Sequence, residues 1–344
     1  LCAYDRALKD NLIVYQGAVG MINPKYPGLI KNYILKGDFS FFEGAKYLTH
    51  NECEVMINQG GGDKSLCLVD NVHGSNWSVE RDSYLQRLTH LNLTERLSLD
   101  GDMLCLISTQ WSQSNIFHLL FDSLGKLAVV DAYDDIFKFT YLIPRWVPSY
   151  SDLFDELGLK YLEYDKNAIY DGTFYVPSMP SYLGDVSRDV CQLFQKLASN
   201  LHYEGDEVYQ YIYIGRRPPT KRGIANQDEV LECLRKFYDF KVIYLEDYPL
   251  HKQIQFFRNA SIIVGPHGAG LSWSVFSVKP ALFEIHSPYY ANRCFETLIN
   301  NSLGTYWSVK GESKPNGVAQ DDYYLSIPDL ERSFLIFIDR LNSF

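Results

Sequence analysis

The sequence predicts an α/β protein whose second half is a doubly wound parallel sheet. Three observations carry this: strand-length apolar runs recur along the chain, helical-period segments of about 10 to 15 residues separate them after residue 208, and turn-forming residues mark the joins. VYQYIYIG from Val208 is the first strand of that half, and Asn226 with Glu229 has capping-box spacing before the helix QDEVLECLRKFY. KVIYLE is the next strand, PLHKQIQFFRNA a helix opened by Pro249, and SIIVG a third strand. ALFEIHS follows a further helix, ANRCFETLINN is helical, and IPDLERSFLIFIDRLNSF is an amphipathic helix starting near Pro328. In sheets of this kind ligands bind beyond the carboxyl ends of the strands, so the residues just after YIYIG, VIYLE, SIIVG and ALFEI are the ones to inspect.

The first half is less regular. CEVMI from Cys53, SLCLVD from Ser65, MLCLIS from Met103, YLIP from Tyr141, KYLEY from Lys160 and TFYVP from Thr173 are strand candidates, with helical-period segments between several of them. GGGDKS from Gly60 is a turn, and Pro177, Pro180 and Gly184 place a domain boundary near residues 178–190. At 344 residues the chain fits two domains of about 150 each. These are residues 1–185 and 186–327, with 328–344 as a terminal helix.

Composition narrows the partners. A net charge of -10 argues against a broad nucleic-acid surface, which would need clustered Lys and Arg. No apolar run approaches the ~20 residues that cross a bilayer. The seven cysteines form no C-x-x-C pair, and several sit in apolar runs, so buried free thiols are expected. Sequons at Asn76, Asn92, Asn259 and Asn300 permit a secretory history, but N-x-S/T is short enough to arise by chance, and the balance tips slightly to a cytoplasmic location.

Three clusters could carry chemistry. In GPHGAGL, Gly268, Ala269 and Gly270 let backbone amides approach an anion, and His267 could donate a hydrogen bond to the same group. In GRRPPTKRGIANQDE, Arg216, Arg217, Lys221 and Arg222 put four cations within seven residues at a strand end of an acidic protein. Both clusters belong on one rim of one sheet, where a phosphate or diphosphate is the natural guest. Glu284, near the end of ALFEI, is placed to accept from ribose hydroxyls. Taken singly, each also fits an ordinary turn, a solvated basic loop or a surface acid.

The third cluster is WSQSNIFHLLFDSLGKL. Asn115, His118 and Asp122 at i, i+3 and i+7 share a helical face, beside Ile116, Leu119, Leu120 and Leu124 on the packing side. His118 or Asp122 could serve as general base, or the two as an oriented couple, with Asp122 slightly preferred because a carboxylate needs no partner to set a tautomer. Polar residues on a helix surface are the plain alternative. There is no G-x-x-x-x-G-K-[ST], no H-E-x-x-H, no complete G-x-G-x-x-G and no G-x-S-x-G.

The segments NIFHLLFDSLGKL, YIGRRPPTKRGIANQDEV, NASIIVGPHGAGLSWSVF and ALFEI, in that order across roughly residues 110–290, resemble glycosyltransferase family 61, which includes plant β-1,2-xylosyltransferases and secretory-pathway O-linked GlcNAc transferases. The resemblance implies a GT-B fold of two Rossmann-like domains facing a cleft, with the terminal helix crossing back to the N-terminal domain. It also implies inversion, a UDP-sugar donor held by Arg216, Arg217, Lys221, His267, Gly268, Ala269, Gly270 and Glu284, and no obligatory metal or cofactor. The acceptor, a glycan or glycoprotein hydroxyl, is then expected beside Asn115, His118 and Asp122. A non-catalytic binding protein on the same fold is the rival reading. Xylose and GlcNAc lead the donor sugars on family analogy.

Overall fold

The computed structural model describes residues 115–131, 135–145, 148–164, 184–201, 208–217, 221–290, 292–313, 317–318 and 321–343, with the backbone course of strands at 34–36, 46–57, 66–69, 95–105 and 168–177. The Gly60 turn, Cys2, the sequons at Asn76 and Asn92 and most of the Pro-rich boundary segment lie outside the described residues. The chain divides into two compact units, Leu1–Leu183 and Gly184–Phe344.

In the first unit β1 (Ile34–Lys36), β2 (Lys46–Ile57), β3 (Leu66–Val69), β4 (Glu95–Cys105), β5 (Thr140–Pro144), β6 (Tyr161–Tyr164) and β7 (Ala168–Pro177) form one sheet. Its order is β1-β2-β7-β4-β5-β6, with β3 also paired to β2. Strands β7, β4, β5 and β6 run parallel, whereas β2 is antiparallel to both β7 and β3, so this sheet is mixed. The sequence of β2, KYLTHNECEVMI, carries the polar residues that an antiparallel strand tolerates and a doubly covered parallel strand does not.

The helical segment after β4 is not one regular helix. It runs through α1 (Ile116–His118), a π-helical turn (Leu119–Ser123), a 3-10 turn (Leu124–Lys126) and α2 (Leu127–Asp131). Leu119, Leu120, Phe121, Leu124, Leu127 and Val130 are all buried, and the change of pitch lets nearly consecutive residues face the core. The helix α3 (Pro148–Leu157) supports this turn, since the Tyr150 hydroxyl donates to Ser123 Oγ at 3.0 Å.

The second unit is the cleaner half. Its strands β8 (Tyr211–Ile214), β9 (Lys241–Ile243), β10 (Ile262–Pro266), β11 (Ala281–His286) and β12 (Thr305–Lys310) are all parallel, in the order β12-β11-β10-β8-β9. The strand order reverses between β8 and β10, which makes the crevice beyond their carboxyl ends the topological switch point. The half-exposed edge strand β12, TYWSVK, is the element that the sequence reading did not anticipate.

Helices α4 (Arg188–Asn200), α5 (Gln227–Arg235), α6 (Leu250–Asn259), α7 (Cys294–Asn301) and α8 (Ile327–Leu341) complete this unit. Tyr213, Val264, Phe283 and Ile285 of the sheet pack with Val230 and Leu234 of α5 and with Leu330, Phe334 and Phe337 of α8. Ile263 and Leu282, which point to the opposite face, are equally buried, so the sheet is covered on both sides. Asn226 does not cap α5; it accepts from the Leu325 amide and donates to the Leu325 carbonyl, both at 3.0 Å, fastening the segment before α8.

The terminal helix commits its apolar side to the core of its own unit, because Leu330, Phe334 and Phe337 form one helical stripe. Phe334 meets Phe240, Phe283 and Phe337 at ring-centroid distances of 6.0, 5.2 and 5.8 Å. Phe334→Ala should destabilise this unit by about 3–5 kcal/mol, seen as a lower urea midpoint at unchanged m. A loss below about 1 kcal/mol would show that the helix is not an anchor of this core.

Among the described cysteines, Cys191, Cys233 and Cys294 are free and buried, as the apolar context suggests. Burial pushes the Cys191 thiol up to about 11. Burial, with Glu284 second, pushes Cys294 up to about 12, so neither is a reactive thiolate near neutral pH.

Candidate active site

The switch point brings together the ends of β8 and β10. Arg216, two residues past β8, is half-buried and donates from Nη1 to the Lys221 carbonyl and from Nη2 to the His267 carbonyl, both at 2.7 Å. Two of its five N–H groups are thereby used to span the crevice. Glycine at position 268 makes this possible: a Cβ there would stand 1.7 Å from Arg216 Nη2. Its backbone is extended, with φ 178°, so the requirement is space and not a left-handed turn.

Beyond Gly268 the chain enters a 3-10 segment, Ala269–Phe276, in place of the expected α-helix. Its first hydrogen bond runs from the Leu271 amide to the Gly268 carbonyl at 2.9 Å. The amides of Gly268, Ala269 and Gly270 precede that bond and have no acceptor within the segment. Ala269 and Gly270 are half-buried.

Arg222 is the cation to which sequence reasoning gave no separate role. It holds a left-handed backbone, φ 64°, and its guanidinium lies 4.9 Å from the Tyr290 ring centroid. Its Nε is buried without a hydrogen-bond partner among the described residues. Burial first, and the charge of Arg222 second, hold the Arg216 guanidinium below its usual pKa. Two mutually repelling guanidinium groups without a salt-bridged carboxylate among the described residues form a local demand for an anion. The lone positive-φ arginine in an otherwise basic loop offered no distinctive pattern in the sequence.

The other expected donor residues are placed differently. Arg217 forms a two-point pair with Asp247, at 2.7 and 2.6 Å, and lies 4.0 Å over the Tyr244 ring. That hydrogen-bonded pair holds Asp247 below the ordinary carboxylate range and lies on the exposed rim. Lys221 is exposed, and its contribution to the Arg216 network is its backbone carbonyl.

Glu284 was aimed at a ribose; it is instead fully buried beneath His267. Its Oε1 meets His267 Nδ1, and its Oε2 accepts from the Tyr306 hydroxyl at 2.6 Å. His286 Nε2 stands 3.1 Å from the Tyr306 oxygen and 3.4 Å from Oε2. Desolvation holds His286 below the usual histidine range. The His267 ring lies against His286, Tyr290 and Phe295 at centroid distances of 5.5, 5.1 and 5.3 Å. Parallel register places these groups together, since Glu284 pairs with Gly265 and Ser308 on neighbouring strands.

His267, Glu284 and His286 offer three ligand atoms within 4.8 Å of one another, a set that could hold a divalent cation. The sequence gave no sign of it, because the residues come from the turn after one strand and from the end of the next. The carboxylate is already satisfied by His267 and Tyr306, whereas His286 Nδ1 is buried without a hydrogen-bond partner among the described residues.

In the first unit His118 and Asp122 meet across the start of the π-helical turn, with Nδ1 2.6 Å from Oδ2. The His118 side chain is 29% exposed and that of Asp122 10%, so the carboxylate sits behind the ring. Asn115 is the N-cap, accepting from the Phe117 amide at 3.0 Å through Oδ1, which accounts for an asparagine at that position.

The fold and site together define an α/β protein with a parallel sheet and basic side chains at its switch point. The model of the family described as Glycosyltransferase 61 matches residues 116–282, from the first residue of α1 into β11. Over that stretch the chain is similar to the glycosyltransferase 61 family, as its motifs suggested, and this similarity supports a glycosyltransferase with donor and acceptor substrates. No curated protein matches the chain significantly. Among the described residues no helix is long and apolar enough to cross a membrane.

Proposed function

We propose that the chain is an inverting glycosyltransferase of GT-B type that moves a sugar from a UDP-sugar to a hydroxyl of a glycan or glycoprotein. The observation that carries this reading is the pair Arg216 and Arg222 at the switch point, without a salt-bridged carboxylate among the described residues. A diphosphate supplies the missing negative charge, with His267 and the amides of Gly268, Ala269 and Gly270 as further donors. As the bond between the anomeric carbon and the phosphate oxygen lengthens, charge grows on the leaving nucleotide, and these fixed donors stabilise it more than the ground state.

The His118–Asp122 couple is our proposed base. Its burial order favours His118 as the group that takes the acceptor proton, with Asp122 holding Nδ1, which reverses the slight preference drawn from sequence. The acceptor oxygen then attacks the face opposite the leaving group, and the configuration inverts.

Release of UDP from a panel of donors, UDP-xylose and UDP-GlcNAc first, is the direct test. Turnover with one donor and an acceptor, undiminished by EDTA, is expected, because protein cations neutralise the diphosphate. UDP binding in calorimetry without transfer or hydrolysis across the panel would favour a non-catalytic binding protein. A strict Mg²⁺ or Mn²⁺ requirement would reject the metal-independent mechanism and direct attention to His267, Glu284 and His286 as ligands.

A further inference from the structure

We infer that Glu284 and Tyr306 are positioning residues that fix the orientation and proton arrangement of His267 at the leaving phosphate, an inference that rests on the donor reading above. Strand β11 is otherwise an apolar, buried run, ALFEIH, and a carboxylate in its interior is costly unless its lone pairs are met. They are met by donors alone among the described residues: His267 on Oε1 and the Tyr306 hydroxyl on Oε2, with no Arg or Lys salt bridge. Packing does not call for an acid here, whereas an imidazole that must hold one orientation does.

The proton directions follow from the inventory of donors. The single Tyr306 hydrogen is given to Glu284, so its oxygen is left to accept from His286 Nε2–H at 3.1 Å. His267 then gives Nδ1–H to Oε1. Its second ring nitrogen, Nε2, has no hydrogen-bond partner among the described residues and is the atom left for a ligand. The His286, Tyr290 and Phe295 rings limit rotation of the imidazole. A carboxylate that orients an imidazole in this way acts through the ring and does not touch substrate, and loss of such a partner of a metal-bound histidine, the nearest analogue, costs about 10- to 100-fold in affinity or activity.

Glu284→Gln, Tyr306→Phe and His267→Ala would be compared for kcat, for KM of the UDP-sugar, and for the ¹⁵N shifts of the His267 ring with and without UDP. We expect Glu284→Gln to lower kcat about 10- to 100-fold while KM changes less than about 3-fold, and to alter the ring ¹⁵N pattern that UDP perturbs in the unmodified protein. Tyr306→Phe should give a smaller kcat loss, at least about 3-fold, with a lowered Tm because it leaves Oε2 without its hydroxyl donor. Should Glu284→Gln not fold, Tyr306→Phe decides alone. A kcat and a His267 spectrum like those of the unmodified protein in the folded positioning variants, alongside an inactive His267→Ala, would overturn the relay and leave the donor reading standing. Near-normal turnover by His267→Ala would overturn the donor reading itself.

Discussion

Arg216→Ala is expected to lower kcat/KM for the UDP-sugar by about 10²- to 10³-fold, the cost of removing one preorganised donor from a site of developing negative charge. The guanidinium has no salt-bridged acid among the described residues, and its remaining N–H groups are available to a diphosphate after it has bridged the Lys221 and His267 carbonyls. Arg216→Lys should restore little, since a point charge cannot make both bridging bonds of a planar fork. Gly268→Ala offers an independent approach to the same group. The added methyl would stand 1.7 Å from Nη2 and 2.8 Å from Cζ, so the guanidinium must leave its seat. We expect this variant to lose at least about 10-fold in turnover while its urea unfolding stays close to that of the unmodified protein. Near-normal turnover by both Arg216→Ala and Gly268→Ala would sink the assignment of the diphosphate to the switch point.

His118→Ala should lower kcat about 10²- to 10⁴-fold with UDP affinity unchanged, as loss of a general base predicts. Asp122→Asn keeps the shape of the side chain and removes its charge, so it separates orientation from packing. If Asp122 serves His118, this variant should resemble His118→Ala in kcat and keep its Tm. The proper comparison is single-turnover transfer with UDP binding measured alongside. Transfer at full rate in both variants would remove the couple from the mechanism and return it to the role of a satisfied helix pair.

Much of the second unit was legible in the sequence, because local rules there agree with the fold. YIYI, SIIVG and ALFEI are buried on both faces and therefore continuously apolar, and Pro249, Ser187 and Ser326 stand at helix starts with the chemistry those positions need. The first unit was less legible since its sheet is mixed and its central helical segment changes pitch. Regular spacing set Asn115, His118 and Asp122 on one face. The π-helical turn kept His118 with Asp122, and the Asn115 side chain caps the helix start.

The sequence by itself determined that the chain is α/β, that an arginine loop and GPHGAGL follow strands of one sheet, and that the motifs resemble glycosyltransferase 61. Each of these depends on a residue's neighbours along the chain, where periodicity and turn chemistry act. Only the tertiary structure decided which cations are spoken for. Arg217 is held by Asp247, while Arg216 and Arg222 lack such a partner among the described residues, a difference that no spacing encodes. It also decided that Glu284 is buried and hydrogen-bonded to His267 and Tyr306, because strand register, set by the packing of the whole sheet, brings β11 and β12 beneath the turn after β10.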